Sequence, residues 1–174
     1  MGQTISEKIL ARASGKETVK PGDIVTCNVD LAMVHDSSGP RTSGKKLDEL
    51  GVPVWDMDKL VVISDHYVNL DTPESKNVQD ICDAWCESHK VKHFIRNQGI
   101  CHIVLPQEGY VRPGMFCVGA DSHSTTAGAF GAFMVGVGAT EITGLVIADD
   151  ALVGGRSVQN NLGEIVRDVS KDPN

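Results

Sequence analysis

The stretch that decides the fold is Phe116–Thr126, FCVGADSHSTT, in which an apolar run ends in an acid and a histidine. The same pattern occurs in Leu60–His66 (LVVISDH), and Gly99–His102 (GICH) is a third apolar run that ends in a histidine. Short apolar runs are typical of buried strands in an α/β sheet, whose carboxyl ends meet at one crevice where ligands bind. We therefore expect an α/β domain of an enzyme, with its functional groups at one edge of the sheet.

Helix signals lie on both sides of the second run. Thr4–Glu7 has the sequence of a capping box, which predicts a first helix that ends near Gly15. Thr72–Glu74 combines a cap, a proline at the first helical position and an early acid, which predicts a helix that runs to about His89 or Lys90.

Three further segments have weaker patterns. Val25 and Val29 lie within Asp23–Leu31, where we predict a strand. A further strand is predicted near Ile103–Leu105. The segment Asp36–Lys46 is rich in Ser, Gly, Pro and Lys, and is predicted to be a surface loop.

Composition limits the class of protein. A chain of 174 residues predicts one domain, and its formal net charge of −7 argues against nucleic acid and anionic membranes as partners. The amino end lacks the apolar core of a signal peptide, and no apolar run is as long as a membrane span. Five cysteines, an odd number, are expected to be reduced thiols. We expect a cytoplasmic protein.

The clusters at the ends of the predicted strands favour acid–base chemistry. A carboxylate fixes the tautomer of a paired imidazole and raises its basicity, and an imidazole transfers protons near neutral pH. Asp65 with His66, and Asp121 with His102 or His123, are the predicted pairs. The residues around these pairs contain no G-x-S-x-G elbow of an activated serine. Lyase chemistry is therefore favoured over acyl transfer.

Two other patterns suggest different sites. Gly39–Lys46 is one residue short of a phosphate-binding loop, which would indicate a P-loop-like nucleotide binder, although a polar surface loop is the preferred interpretation. Cys82, Cys86, His89 and His93 follow one helix face, but the first and last are roughly 16 Å apart along a helix, too far for one metal ion. We predict no metal site there and expect both cysteines to pack inward.

Four motifs, in this order, resemble the first domain of the aconitase and 3-isopropylmalate dehydratase family. The resemblance implies a three-layer α/β/α domain with a mostly parallel sheet, expected over residues 1–144, whereas residues 145–174 do not match the family pattern. The residues that carry the resemblance are Val29–Asp36, Asp65-His66, Gly99–His102, and Gly119–Thr126 with Gly131–Phe133.

The resemblance implies a hydro-lyase of amino-acid biosynthesis, such as leucine biosynthesis, that removes and adds water on a hydroxy acid with several carboxylates. Asp65 and His66 would then assist the departing hydroxyl. His102 and Asp121 would form a pair near a water bound to iron, and His123 would hold that water.

The family also implies substrate contacts and a cofactor. His35 would contact a substrate carboxylate, and Ser122 would help to hold the substrate. The family's [4Fe-4S] cluster is bound by cysteines of a later C-x-x-C stretch, and its serine base comes from a swivelling domain. Neither is present in these 174 residues, since Cys82 and Cys86 are separated by three residues.

We therefore expect a partial hydro-lyase subunit that is inactive alone and holds no cluster of its own. Its expected partners are a small polycarboxylate, a complementary chain that carries the cluster, and a small swivelling-domain subunit. The chain would be a fragment, a split subunit or a repurposed paralogue. The alternative is a non-catalytic module that binds carboxylates or a partner through the same crevice.

Overall fold

The computed structural model describes residues 2–68, 71–148 and 150–153 of the chain. The α-helices are α1 (Ile5–Ala13), α2 (Lys45–Leu50), α3 (Pro73–Ser88), α4 (Cys101–Gln107) and α5 (Ala139–Ala148), with a π-helical turn at Gly39–Gly44 and a 3-10 helix at Ser124–Phe130. The strands are β1 (Val25–Asn28), β2 (Leu31–His35), β3 (Leu60–Ser64), β4 (His93–Arg96), β5 (Phe116–Gly119), β6 (Phe133–Gly136) and β7 (Asp150–Val153). No helix within the described ranges is long and apolar enough to cross a membrane.

Five strands form one parallel sheet in the order β4-β3-β2-β5-β6. The central strand β2 pairs with β3 on one side, with His35 opposite Ile63, and with β5 on the other, with Met33 opposite Gly119. The chain runs outward from β2 to β4 and then returns to β5, so the strand order reverses between β2 and β5. Strands β1 and β7 form a separate antiparallel ribbon.

Helices cover both faces of the parallel sheet. Side chains alternate between the two faces of a strand, so Ala32 and Val34 of β2 pack on one face and Leu31 and Met33 on the other. The first face is covered by α1, α2, α3 and α5, and the second by α4 and the 3-10 helix. The predicted three-layer α/β/α architecture is therefore confirmed.

Both predicted helix starts are confirmed. The Thr4 hydroxyl accepts a hydrogen bond from the Glu7 N–H at 3.2 Å, and the Glu7 carboxylate accepts one from the Thr4 N–H at 2.6 Å, which completes the capping box. At the start of α3, the Thr72 hydroxyl accepts from the Ser75 N–H at 3.1 Å. Each bond satisfies a main-chain donor that the helix itself leaves unpaired.

The predicted strand near Ile103–Leu105 is wrong, because these residues lie in α4. Cys101, Val104 and Leu105 are buried at helical spacing against the sheet, whereas Ile103 is 53% exposed. Periodicity alone does not separate a short buried helix from a strand. As a consequence, His102 lies on the first turn of a helix and not at the end of a strand.

The single strand predicted within Asp23–Leu31 is two strands in two different sheets. The chain leaves β1 at Asn28 and enters β2 at Leu31. Asp30 lies at the change of sheet, where its N–H donates to the Phe116 carbonyl at 2.9 Å and its carboxylate accepts from the Phe116 N–H at 2.8 Å. These bonds hold the turn against β5. The strand that follows the turn, β2, therefore lies beside β5 in the middle of the sheet.

The predicted surface loop at Asp36–Lys46 is also wrong, because most of it packs into the domain. Asp36 is fully buried, and Gly39 and Gly44 are buried in the π-helical turn. A Cβ atom at Gly39 would lie 2.7 Å from the Val34 Cγ2 atom, so only glycine fits against β2. The segment follows β2, as a phosphate-binding loop follows a strand. Its backbone is packed against the domain, however, and forms no open loop that could enclose a phosphate.

Candidate active site

The candidate site lies at the carboxyl edge of the parallel sheet, between β2 and β5. This is the point at which the strand order reverses, and ligands of open α/β sheets bind in the crevice there. His35 ends β2, Asp65 and His66 follow β3, and Asp121 follows β5. The sheet topology therefore brings together residues that are far apart in the sequence.

Asp36 is the buried anchor of this edge. One carboxylate oxygen accepts the Ser37 N–H at 2.9 Å, and the other accepts the N–H groups of Tyr67 at 3.0 Å and His66 at 3.2 Å and the Ser64 hydroxyl at 3.3 Å. Burial raises the pKa of Asp36, but the nearby His35 ring and the Tyr67 and Ser37 N–H groups outweigh it and hold that pKa below its ordinary value. Asp36 therefore fixes the main chain after β3.

Asp65 and His66 form the first acid–histidine pair. The Asp65 Oδ1 atom lies 2.6 Å from His66 Nδ1, and Asp65 Oδ2 accepts the Cys101 N–H at 2.7 Å. The His66 ring stacks on the His35 ring with 3.9 Å between ring centroids and 15° between their planes. Because the Asp65 carboxylate is bonded to Nδ1 of His66, the Nε2 atom of that ring is directed away from Asp65 and into the crevice.

Asp121 is the centre of the second pair. Its Oδ1 atom lies 2.6 Å from His102 Nε2, accepts the His123 N–H at 2.7 Å and lies 3.4 Å from His123 Nδ1. Its Oδ2 atom lies 3.9 Å from the Nε2 atoms of both His35 and His66. Burial raises the pKa of Asp121, but the His123 N–H and the His102 ring outweigh it and hold that pKa below its ordinary value. Four imidazoles therefore surround one carboxylate.

Ser122 and His123 form the rim of the site. The His123 side chain is 80% exposed, and its Nδ1 atom lies 3.2 Å from the Ser122 hydroxyl. A groove of about 540 Å³ beside Asp121 is lined by Ser122, Thr125 and the residues after β6. Of the seven predicted site residues, the four histidines surround Asp121, Asp65 binds one of them, His66, and Ser122 lies at the rim in contact with His123.

Sequence reasoning missed Asp36 as a site residue, because the segment that it begins was interpreted as a loop. The signal was present, since Val29–Asp36 is an apolar run that ends in a histidine and an acid, as the other runs do. The site therefore contains three carboxylates, and neutral imidazoles would leave it with a negative charge.

The cysteines of this chain do not fit a [4Fe-4S] cluster, which needs thiolates that converge on one point. All five thiols are free and buried, and the groups of three or more converging metal ligands among the described residues contain histidine and aspartate but no cysteine. Burial raises the pKa of Cys27 to about 11 and that of Cys117 to about 12. Cys101 lies beside the site, but burial and the Asp65 charge raise its pKa further.

Comparisons with known proteins agree with the fold. The profile of the Aconitase family (aconitate hydratase) matches residues 7–153. The chain is 49% identical over 144 residues to "3-isopropylmalate dehydratase large subunit 1" of Methanopyrus kandleri, which covers 82% of this chain and 34% of that protein. It is 44% identical over 155 residues to the chloroplastic large subunit of 3-isopropylmalate dehydratase of Arabidopsis thaliana, with 80% and 30% covered.

A third relative is "Probable methanogen homoaconitase large subunit" of Methanothermobacter thermautotrophicus, with 43% identity over 143 residues that cover 79% of this chain and 33% of that protein. The chain thus spans about a third of the length of the curated relatives that it matches.

Proposed function

We propose that this chain, which belongs to the aconitase family, supplies the histidine–aspartate wall of a hydro-lyase active site. The reaction is the removal and addition of water on a hydroxy polycarboxylic acid, as the names of the 3-isopropylmalate dehydratase and homoaconitase relatives suggest. The observation that carries this proposal is the convergence of the Asp65–His66 and Asp121–His102 pairs at the switch point of the sheet.

The two pairs suit proton transfer at a substrate hydroxyl. A carboxylate that binds one nitrogen of an imidazole fixes the ring and leaves the other nitrogen to exchange a proton. We assign to His66, held by Asp65, the protonation of the departing hydroxyl. His102 and Asp121 position the water that is lost or added, and His123 assists at the open rim.

Two residues are assigned to substrate binding. His35 lies 6% exposed at the bottom of the crevice, where its Nε2 atom can donate to a substrate carboxylate. Ser122 offers a hydroxyl beside the groove. Both assignments follow from position and from the resemblance of the surrounding motifs to the family.

The rest of the active site comes from sequence beyond the matched third of the relatives. Because the cysteines here do not fit a cluster, we infer that it is held by protein sequence outside these 174 residues, such as a complementary chain, and that a small swivelling-domain subunit supplies the base. These 174 residues alone are then inactive. We also propose a domain boundary at about residue 144 and a cytoplasmic location.

A second candidate is a non-catalytic module that binds a partner protein. It is favoured by Ile100 and Ile103, which are 64% and 53% exposed on either side of His102. Large apolar side chains at the rim of a polar crevice are typical of a surface that another protein covers.

Reconstitution distinguishes the two candidates. The chain is assayed for conversion of isopropylmalate, read as absorbance of the unsaturated product, alone and with the complementary part of a large subunit and a small subunit. Activity is expected only in the mixture, and the Asp121→Asn variant should reduce it by about 10²- to 10⁴-fold, the usual contribution of general acid–base catalysis. A stable mixed complex without activity would refute the hydro-lyase proposal and favour the binding module.

A further inference from the structure

The two edges of the parallel sheet differ in how they are protected. Strand β4 is one edge and β6 is the other. Arg96, at the end of β4, pairs with Asp83. Lys92, just before β4, pairs with Asp58 at 2.6 Å. Charged side chains along an edge discourage the pairing of a further strand, and the edge strand β6, Phe133–Gly136, carries none.

The outer side of β6 presents main-chain hydrogen-bonding groups. The N–H groups of Phe133 and Val137 donate to carbonyls of β5 and of the residue just before it, at 2.8 and 2.9 Å. Alternate residues of a strand face opposite neighbours, so the N–H and C=O groups of Met134 and Gly136 face outward. No described strand pairs with β6 on that side. Such a row of main-chain groups is a template for another strand.

A groove of about 340 Å³ gives access to these groups. One wall is the start of α1, with Ile5 and Ile9, and the other is the 3-10 helix, with Thr125 and Gly128. Because these two helices lie on opposite faces of the sheet, the groove between them opens at the outer side of β6. Ile5 is 61% exposed there. The groove therefore presents an apolar, uncharged surface beside the outer groups of β6.

The charge around β6 favours an identical surface as the partner. The stretch 113–140 contains one acid, Asp121, and no lysine or arginine, although 22% of the whole chain is charged. Two copies of a charged surface repel each other, whereas two copies of a neutral apolar surface do not. A contact of β6 with the charged edge β4 of another copy would also build an open filament instead of a closed assembly. Contact of β6 with β6 closes after two copies.

We propose that β6 is the interface of a two-fold symmetric dimer of this chain, in which the two β6 strands pair antiparallel and join the two sheets. A rotation about an axis through Val135 places Met134 of each copy opposite Gly136 of the other. Each of these pairs exchanges main-chain hydrogen bonds, about four in the whole interface. Since α1 packs beside β6, the same rotation brings the exposed Ile5 side chains of the two copies toward each other.

The walls of the groove enlarge this interface. A stable contact buries roughly 800 Å² of each copy, more than one strand of four residues supplies. Ile5 is the exposed apolar side chain of one wall, and Phe130, 40% exposed, ends the helix that forms the other. We therefore expect α1 and the 3-10 helix of both copies to pack beside the paired strands.

The first test is sedimentation velocity of the 174-residue chain over a series of concentrations. We expect a dimer that dissociates on dilution. The Ile5→Glu variant should raise the dissociation constant at least 10-fold, because it removes an apolar contact and places two like charges close to the axis. Leu50→Glu, at a position 58% exposed on α2, is the matched control and should dimerise as the unchanged chain does. Circular dichroism establishes that both variants are folded.

The second test fixes the register of the strands. Directly opposite residues of a non-hydrogen-bonded antiparallel pair have Cα atoms about 4.5 Å apart, which a disulfide can span. Val135→Cys should therefore form a disulfide between two copies under mild oxidation. Leu50→Cys should not, and the five native thiols are buried and contribute little background.

Amide hydrogen exchange separates this edge from any other dimer contact. The Met134 and Gly136 N–H groups should be protected in the dimer and exchange faster in Ile5→Glu. The Phe133 N–H, which is bonded to the carbonyl before β5, should be protected in both.

The proposal is overturned by a chain that stays monomeric at every concentration, including one whose β6 amides become protected only when a complementary part of a large subunit is added. A dimer that Val135→Cys does not cross-link and Ile5→Glu does not weaken would overturn it as well. None of these measurements needs substrate or turnover. Their failure would leave the proposed hydro-lyase role intact, and an inactive reconstituted enzyme would leave the dimer intact.

Discussion

Replacement of Asp36 by asparagine tests whether this buried carboxylate holds the candidate site together. Its two oxygens accept three main-chain N–H groups and one hydroxyl, at 2.9 to 3.3 Å. Asparagine has a single acceptor oxygen, so at least one buried N–H group then faces an amide NH₂. A hydrogen bond to a charged group contributes about 1.5–3 kcal/mol, and an unsatisfied buried donor costs about 1–3 kcal/mol.

We therefore expect Asp36→Asn to lower the free energy of unfolding by about 2–4 kcal/mol at pH 7. For a domain of this size, that corresponds to a fall in Tm of about 5–15 °C. The assay is thermal and urea unfolding followed by circular dichroism. The control is Asp58→Asn, which changes an exposed carboxylate that pairs with Lys92 and should have little effect.

The pH dependence gives a second readout. The pKa of Asp36 is below its ordinary value in the folded chain, so its contribution is present above the unfolded-state pKa of about 3.9 and is lost as the pH falls through the folded-state pKa. The difference in stability between wild type and Asp36→Asn should therefore narrow below pH about 4. Equal stability of Asp36→Asn and Asp58→Asn at pH 7 would refute the structural role of Asp36.

Three further outcomes are expected. Gly136→Ala should destabilise the domain by about 1–3 kcal/mol in urea unfolding, because its Cβ would lie 2.4 Å from the Asp121 carbonyl oxygen. A Cβ atom at Gly128 would meet no atom within 4 Å, so the Gly128→Ala control should not be destabilised by such an overlap. Anaerobic reconstitution followed by iron and sulfide analysis should find no cluster that survives desalting, and a stoichiometric cluster would contradict the cysteine geometry. A thiol reagent at pH 8 should modify Cys27 and Cys117 slowly in the native chain and rapidly in urea, since burial raises their pKa values to about 11 and 12; equal rates would show that the thiols are accessible.

The apolar runs of the sequence identified the strands that carry most of the site. Leu60–Ser64 and Phe116–Gly119 are fully buried, and an uninterrupted apolar run is what a strand covered on both faces requires. The carboxyl ends of these strands place Asp65, His66 and Asp121 at one edge, so those residues were recognisable from pattern alone.

The remaining elements were harder to predict because tertiary packing decides them. Strand β4, His93–Arg96, has a histidine and an arginine at its ends and only one buried residue, so it has no long apolar run to recognise. The segment after β2 has a loop composition, but the buried Asp36 and the close contact of Gly39 with Val34 hold it in place. A polar segment can thus be ordered by hydrogen bonds to a partner that is distant in sequence.

The site combines contacts that are close in sequence with contacts that are distant in sequence. The hydrogen-bond partners of Asp36 all lie between Ser37 and Tyr67, so these bonds need only the pairing of β2 with β3. The ring of imidazoles around Asp121 must wait for β5, which pairs with β2 across a long stretch of intervening chain. Contacts so distant in sequence form slowly, because the intervening chain must first be brought to order. The contacts that stack His35 on His66 therefore enclose a shorter stretch of chain than those that bring Asp121 to both rings.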